Sequence, residues 1–262
     1  MATNHARRCA TSAAVGVLTV LAAGCSSLAP TPAPTVAMPP WTVAPAPAAP
    51  PSAPPAETGQ PSSASTHFGG HLADFGRERV SSDARTIANW VAYSGDNRGL
   101  PFIIVDKKQA KVLVFDPDGH LLGVTPALLG LARGDDSVPG IGERPMAEIR
   151  PEERTTPAGR FAAEMGRNAG GEDILWVDYD NAVSMHRVRA TNPAERRLQR
   201  LASKTPNDNR ISYGCINLPA AFYDQIVKPA FEPHDGIVYV LPETRPAVAV
   251  FGAYTVTPIA RR

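Results

Sequence analysis

The chain has 262 residues, 43% hydrophobic but only 6% aromatic, with 26 Lys and Arg against 25 Asp and Glu and a formal net charge of +1. Near-neutral charge leaves no broad basic footprint for nucleic acid, the more so because Arg7 and Arg8 fall in an N-terminal leader. No internal repeat, phosphate-cradling glycine loop or paired-cysteine motif is present, which argues against nucleotide and structural zinc and leaves no cofactor and no metal to assign.

The leader is the first element. Arg7 and Arg8 form a positive region, and the apolar run from Ala13 to Ala23 is too short to span a bilayer, so residues 1–24 read as a signal peptide. Leu21-Ala22-Ala23-Gly24-Cys25-Ser26 resembles a bacterial lipobox, which makes Cys25 the lipidated first residue of the processed chain and its lipid the membrane anchor. Ser26 resembles the pattern of lipoproteins sent to an outer membrane rather than kept at an inner one, on the periplasmic side. The segment 25–66 is rich in Pro, Ala, Ser and Thr, and Glu57 is its single charged residue. Such a composition cannot bury enough apolar surface to offset chain entropy. As an extended linker at about 3.1 Å per residue it reaches on the order of 100 Å.

Residues 67–262 suffice for one domain with its own core. Val80, Ala84, Ile87, Ala88 and Val91 recur at helical spacing until Gly95. Phe102–Val105, Lys111–Phe115 and Leu121–Val124, joined by turns such as Asp116-Pro117-Asp118-Gly119, predict a β-meander. Ile174–Tyr179 and Ala182–His186 predict a hairpin around Asp180-Asn181. Asn192 as cap, Pro193 at the first helical position and Glu195 in capping-box position predict a helix of about ten residues. A turn-rich loop, Lys204–Asn209, follows; Pro219 opens another helix through Phe222, Ile226 and Val227, and Gly236–Leu241 is a late strand. The fold class is mainly β with peripheral helices.

Chemistry concentrates at Ser212-Tyr213-Gly214-Cys215-Ile216-Asn217. With Cys9 in the leader and Cys25 lipidated, Cys215 has no intramolecular disulfide partner; it is an intermolecular bridge or a reactive thiol, and its small-residue turn favours a nucleophile. A free thiol is mostly protonated at neutral pH, so an imidazole must take its proton, and His186 is the candidate base. Gly214 permits a tight turn whose N–H groups, from Tyr213, Gly214 and Cys215, can hold an oxyanion. Ser212 and Asn217 can hold the loop by hydrogen bonds.

These residues resemble the Ser/Thr-His-Gly-Cys-hydrophobic-Asn motif of the L,D-transpeptidases, enzymes that crosslink bacterial peptidoglycan. Phe102-Ile103-Ile104-Val105-Asp106, Thr156-Pro157-Ala158-Gly159-Arg160-Phe161 and the strand ending at His186 match in the same order, over roughly residues 100 to 241. The resemblance implies a β-sandwich or barrel-like catalytic domain, a cysteine thioester, and peptidoglycan stem peptides as partners, the donor being a tetrapeptide cut after its diamino acid. Transfer to an amine makes a crosslink or attaches a protein to the wall; transfer to water makes an L,D-carboxypeptidase or amide hydrolase. An inactive wall-binding lipoprotein is a third reading.

Two departures stand out. Tyr213 occupies the place of the family's second histidine, and Cys215 follows His186 by 29 positions, about ten more than the family pattern, with the Asn192–Ser203 segment as extra material. Arg187, Arg189 and Arg210 bracket this insertion; each reads first as a solvated surface charge, with stem-peptide carboxylates as the functional alternative. Arg196, Arg197 and Arg200 read as a wet helix face, His67, His71, His120 and His234 as loop or surface residues, and Trp90 and Trp176 as core, with lining of a cleft as the alternative for an aromatic near a strand end.

Overall fold

The computed structural model describes residues 70–257; the leader, Cys25, the linker and His67 lie outside the described residues. Helix α1, Ser82–Ser94, begins where the Ser81 hydroxyl accepts from the Ala84 N–H and ends where Gly95 turns left-handed, φ 70°. It buries Ala84, Ile87, Ala88, Trp90 and Val91, so Trp90 is core as expected.

The meander is β1 (Phe102–Asp106), β2 (Lys111–Phe115) and β3 (Leu121–Pro126). Both faces of β1 are buried, which is why it reads as an unbroken apolar run. Ile103 and Val105 enter one cluster with Val112, Leu175, Met185 and Val238. Phe102 and Ile104 enter another with Ile87, Trp90, Phe115 and Tyr239. Each such side chain contributes about 1.5–3 kcal/mol of burial.

The remaining strands are β4 (Leu129–Gly130), β5 (Gly159–Arg167), β6 (Asp173–Asp178), β7 (Val183–Arg187), β8 (Arg210–Ser212), β9 (Ile216–Leu218) and β10 (Gly236–Val240). Eight of them form one sheet in the order β3-β2-β1-β10-β5-β6-β7-β9, and β4 pairs with β8 separately. The pairs β1–β10 and β7–β9 are parallel; every other neighbour in the large sheet is antiparallel. Leu128, just beyond β3, exchanges two 2.9 Å backbone hydrogen bonds with Asn217 of β9. This bridge ties the two ends of the sheet together and nearly closes it. The result is the mainly β, barrel-like architecture with peripheral helices.

Three local expectations need correction. The hairpin between β6 and β7 turns around Asp180-Asn181, where the Ala182 N–H donates to the Tyr179 carbonyl at 3.1 Å, but it is wider than two residues: Tyr179–Ala182 connect the strands, the register shifts after Trp176, and the Asp178 carboxylate accepts from the Asn181 backbone and side chain. The ten-residue helix is broken. Asn192 caps a 3₁₀ turn, Pro193–Glu195, Arg196 turns left-handed at φ 48°, and only then does α2, Arg197–Ala202, begin. The helix after Pro219 runs as α3 (Ala220–Phe222), a π turn (Tyr223–Val227) and α4 (Lys228–Phe231). Pro229 explains the π turn, because a proline ring clashes with the carbonyl four residues earlier unless the helix widens. Helix α5, Ala247–Phe251, joins α1 over the second cluster.

Candidate active site

Parallel pairing of β7 with β9 assembles the site. Register places His186 beside Asn217 and Met185 beside Ile216, so Cys215, one residue before β9, meets Ser184. Met185 and Ile216 point into the first core cluster, which leaves Ser184, His186, Cys215 and Asn217 on the outer face. The sulfur lies 3.7 Å from the Ser184 hydroxyl and 3.6 Å from the Ala182 carbonyl, an acceptor for its S–H. The 29-residue separation from His186 is therefore bridged by the sheet, and the insertion leaves the pair in place.

The half-buried thiol is held below its ordinary pKa. Burial pushes it up, and this is outweighed by the His186 imidazole together with the N–H and hydroxyl of Ser184, which favour the thiolate. His186 is oriented by its own strand. Its Nδ1 lies 2.7 Å from the Arg187 carbonyl; a carbonyl only accepts, so Nδ1 carries the proton and Nε2 is the basic nitrogen.

The turn before the sulfur is fixed on several sides. Gly214 sits at φ 132°, and a Cβ there would lie 2.9 Å from the Thr155 carbonyl, so only glycine fits. Its N–H donates to the Ser212 hydroxyl at 3.1 Å, and that hydroxyl donates to the Cys215 carbonyl at 2.6 Å. The Gly214 N–H is thus not free for an oxyanion, a correction to the sequence expectation. Buried Thr156 donates to the Gly214 carbonyl at 2.7 Å and accepts from the Gly130 N–H at 2.9 Å, which pins the turn to β4. Asn217, 1% exposed, donates to the Cys215 carbonyl at 3.1 Å. Ser212 and Asn217 thus both hydrogen-bond within the loop.

The arginines are placed differently from the expectation. Arg210 is 7% exposed and committed to Glu243 and the Lys107 carbonyl, so it is not a free carboxylate receptor. Arg187 bonds Asp173 and Asp224, and exposed Arg189 bonds Glu172. None of the three has a contact with the sulfur. Two residues not among the site candidates do reach the loop. Arg197 of α2, read as wet, donates to the Asn217 side-chain oxygen at 2.8 Å, and Arg154 stacks 3.9 Å from the centre of the Tyr213 ring. Tyr213 thus takes a cation on its ring face where a histidine would offer a titrating nitrogen.

A buried ion pair lies behind the loop. Lys107 reaches Asp135 at 3.2 Å and donates to the Thr156 carbonyl at 2.9 Å. Burial pulls the Lys107 ammonium down and Asp135 raises it. Asp135, though burial opposes it, is held well below the carboxylate range by Thr244, the Glu243 and Thr244 N–H groups and Lys107. Among the described residues no group of three or more His, Cys, Asp or Glu could hold a metal ion. Trp176 is not core: it lies half-buried on the outer face.

No protein-family model matches the chain, and no curated protein matches it. Among solved structures it is similar to the L,D-transpeptidase from Xylanimonas cellulosilytica DSM 15894, at 14% identity over 54% of this chain and 60% of that one, TM-score 0.33. It is similar also to an L,D-transpeptidase in complex with imipenem, at 17% identity over 54% of this chain and 58% of that one, TM-score 0.31. A third is the catalytic domain of an L,D-transpeptidase from E. faecium, at 19% identity over 53% of this chain and 95% of that one, TM-score 0.29. The match spans about three fifths of the first two structures. At such scores activity has to be argued from the site itself.

Proposed function

We propose that this protein is a cysteine acyltransferase of the L,D-transpeptidase type, acting on peptidoglycan stem peptides. The observation that carries the reading is the pairing of β7 with β9, which sets Cys215 beside Ser184 and on the face that bears His186, with a thiol pKa below its ordinary value. The thiolate attacks an amide carbonyl and forms a C–S bond. The oxyanion so formed is met by the N–H groups of Tyr213 and Cys215. Collapse breaks the C–N bond, and the leaving amine takes its proton from the His186 imidazolium. An incoming amine then gives its proton to His186 and displaces the sulfur as thiolate, restoring the thiolate–imidazolium pair and leaving a new amide.

In this reading Cys25 carries the lipid on the periplasmic side of an outer membrane, and the Pro/Ala-rich segment supplies the reach to the wall. Product analysis tests it. Tetrapeptide muropeptides incubated with the protein should yield crosslinked dimers, absent with Cys215→Ala. Tripeptide alone identifies water as acceptor and the enzyme as a hydrolase. Substrate left intact by both proteins, with sacculi still bound, contradicts catalysis and supports the wall-binding reading.

A further inference from the structure

The sheet register continues the site sideways. Glu164 of β5 pairs with Trp176 of β6, and Trp176 pairs with Ser184 of β7, the residue 3.7 Å from the sulfur. Directly paired residues share a face, so Glu164, Trp176, Ser184 and Cys215 form one row across four strands. At about 4.8 Å per strand, Trp176 stands about 10 Å from the cysteine.

The far end of this row has the composition of a ligand site. Trp176 turns the Cδ1–Nε1 edge of its indole to β5, where a Cβ on Gly166 would meet Cδ1 at 2.7 Å and Nε1 at 2.8 Å. Its ring centre is 4.8 Å from that of Tyr179, at an interplanar angle of 51°, and Tyr179 is 72% exposed. The same hollow is lined by Glu164 and Asp235, both exposed carboxylates, and floored by Ala162 and Ala163. A half-buried and an exposed aromatic ring beside acceptor oxygens suit a ring that is apolar on its faces and carries hydroxyl donors around its edge. That is a pyranose.

We propose that Trp176 and Tyr179, with Glu164 and Asp235, form a pyranose subsite that receives a sugar of the glycan strand bearing the stem peptide. The inference rests on the acyltransferase reading, and the spacing suits it. A donor that leaves its fourth residue behind keeps a three-residue acyl group on the sulfur, and three extended residues span at most about 10–11 Å. The glycan end of the stem is then within reach of Trp176. C–H groups of the sugar stack on the rings, and Glu164 and Asp235 accept from its hydroxyls.

The test titrates the Cys215→Ala protein with an N-acetylated β-1,4-glucosamine tetramer by calorimetry, which needs no turnover. Binding that weakens about tenfold in Trp176→Ala and in Tyr179→Ala supports the subsite. Exposed Tyr179 lies outside both core clusters, so its variant should fold even if the tryptophan variant does not. No binding by the parent, binding unchanged in Tyr179→Ala, or displacement of the tetramer by a simple alkylamine, which would mark a cation site, overturns it. In the active protein, sugar-bearing tetrapeptide should show a lower KM than free tetrapeptide at similar kcat, with the gap closed by Tyr179→Ala. If neither substrate is turned over while the tetramer still binds, the acyltransferase reading has failed and the subsite stands alone.

Discussion

Thr156→Val is the sharpest perturbation of the cysteine turn, because it changes little but one hydroxyl at a fully buried position. That hydroxyl donates to the Gly214 carbonyl at 2.7 Å and accepts from the Gly130 N–H at 2.9 Å, and both glycines are themselves buried. The valine fills the same volume but leaves both groups without a partner. Each unsatisfied buried group costs about 1–3 kcal/mol, so the loss should be about 2–6 kcal/mol. In urea, with a slope of about 2–3 kcal/mol/M, the midpoint should fall by about 1 M or more. Thr156→Ser keeps the hydroxyl and removes one methyl, for a loss of about 1 kcal/mol. The turn also carries the sulfur, so alkylation of Cys215 in the folded valine variant should slow. The reasoning is refuted if the valine protein loses no more stability than the serine protein and its thiol reacts at the parental rate.

Replacing His186 by Gln should raise the pH at which Cys215 alkylation is half-maximal, because the imidazole counters the upward push of burial; a profile that stays in place would remove His186 as the thiol's partner. Asp135 has a depressed folded-state pKa, so its contribution is fully present above the ordinary carboxylate value and is lost as pH falls below it. Denaturation at stepwise lower pH should therefore show stability falling below about pH 4, with a shallower fall in Asp135→Asn. Arg197→Met should lower kcat several-fold and cost about 1–3 kcal/mol of stability, since it leaves the buried Asn217 side-chain oxygen without its donor and frees the amide that holds the Cys215 carbonyl. Equal kcat in the two proteins would make that contact structural only.

The parts visible in sequence were those with local signals. Helix α1 carries its own cap, period and terminal glycine, and the meander strands carry β-branched runs between turns. The cysteine motif is local too. Strand β5 lies inside the sheet, yet Gly-Arg-Phe-Ala-Ala-Glu-Met-Gly-Arg contains no β-branched residue, and tertiary pairing with β10 and β6 sets its conformation. The arginines were misread because their partners are remote. Arg210 finds Glu243 33 residues onward, and Arg197 finds Asn217 20 residues onward. Trp176 looked like core because β6 is apolar, but the pleat turns it outward.

The most direct test of the central claim is intact-protein mass spectrometry after brief exposure to tetrapeptide muropeptide. The account predicts an adduct of one donor minus its terminal residue, mapped to Cys215, released by hydroxylamine as a thioester and absent from Cys215→Ala. An unmodified Cys215 in a protein that nevertheless consumes the substrate, or an adduct that survives in Cys215→Ala, would contradict it.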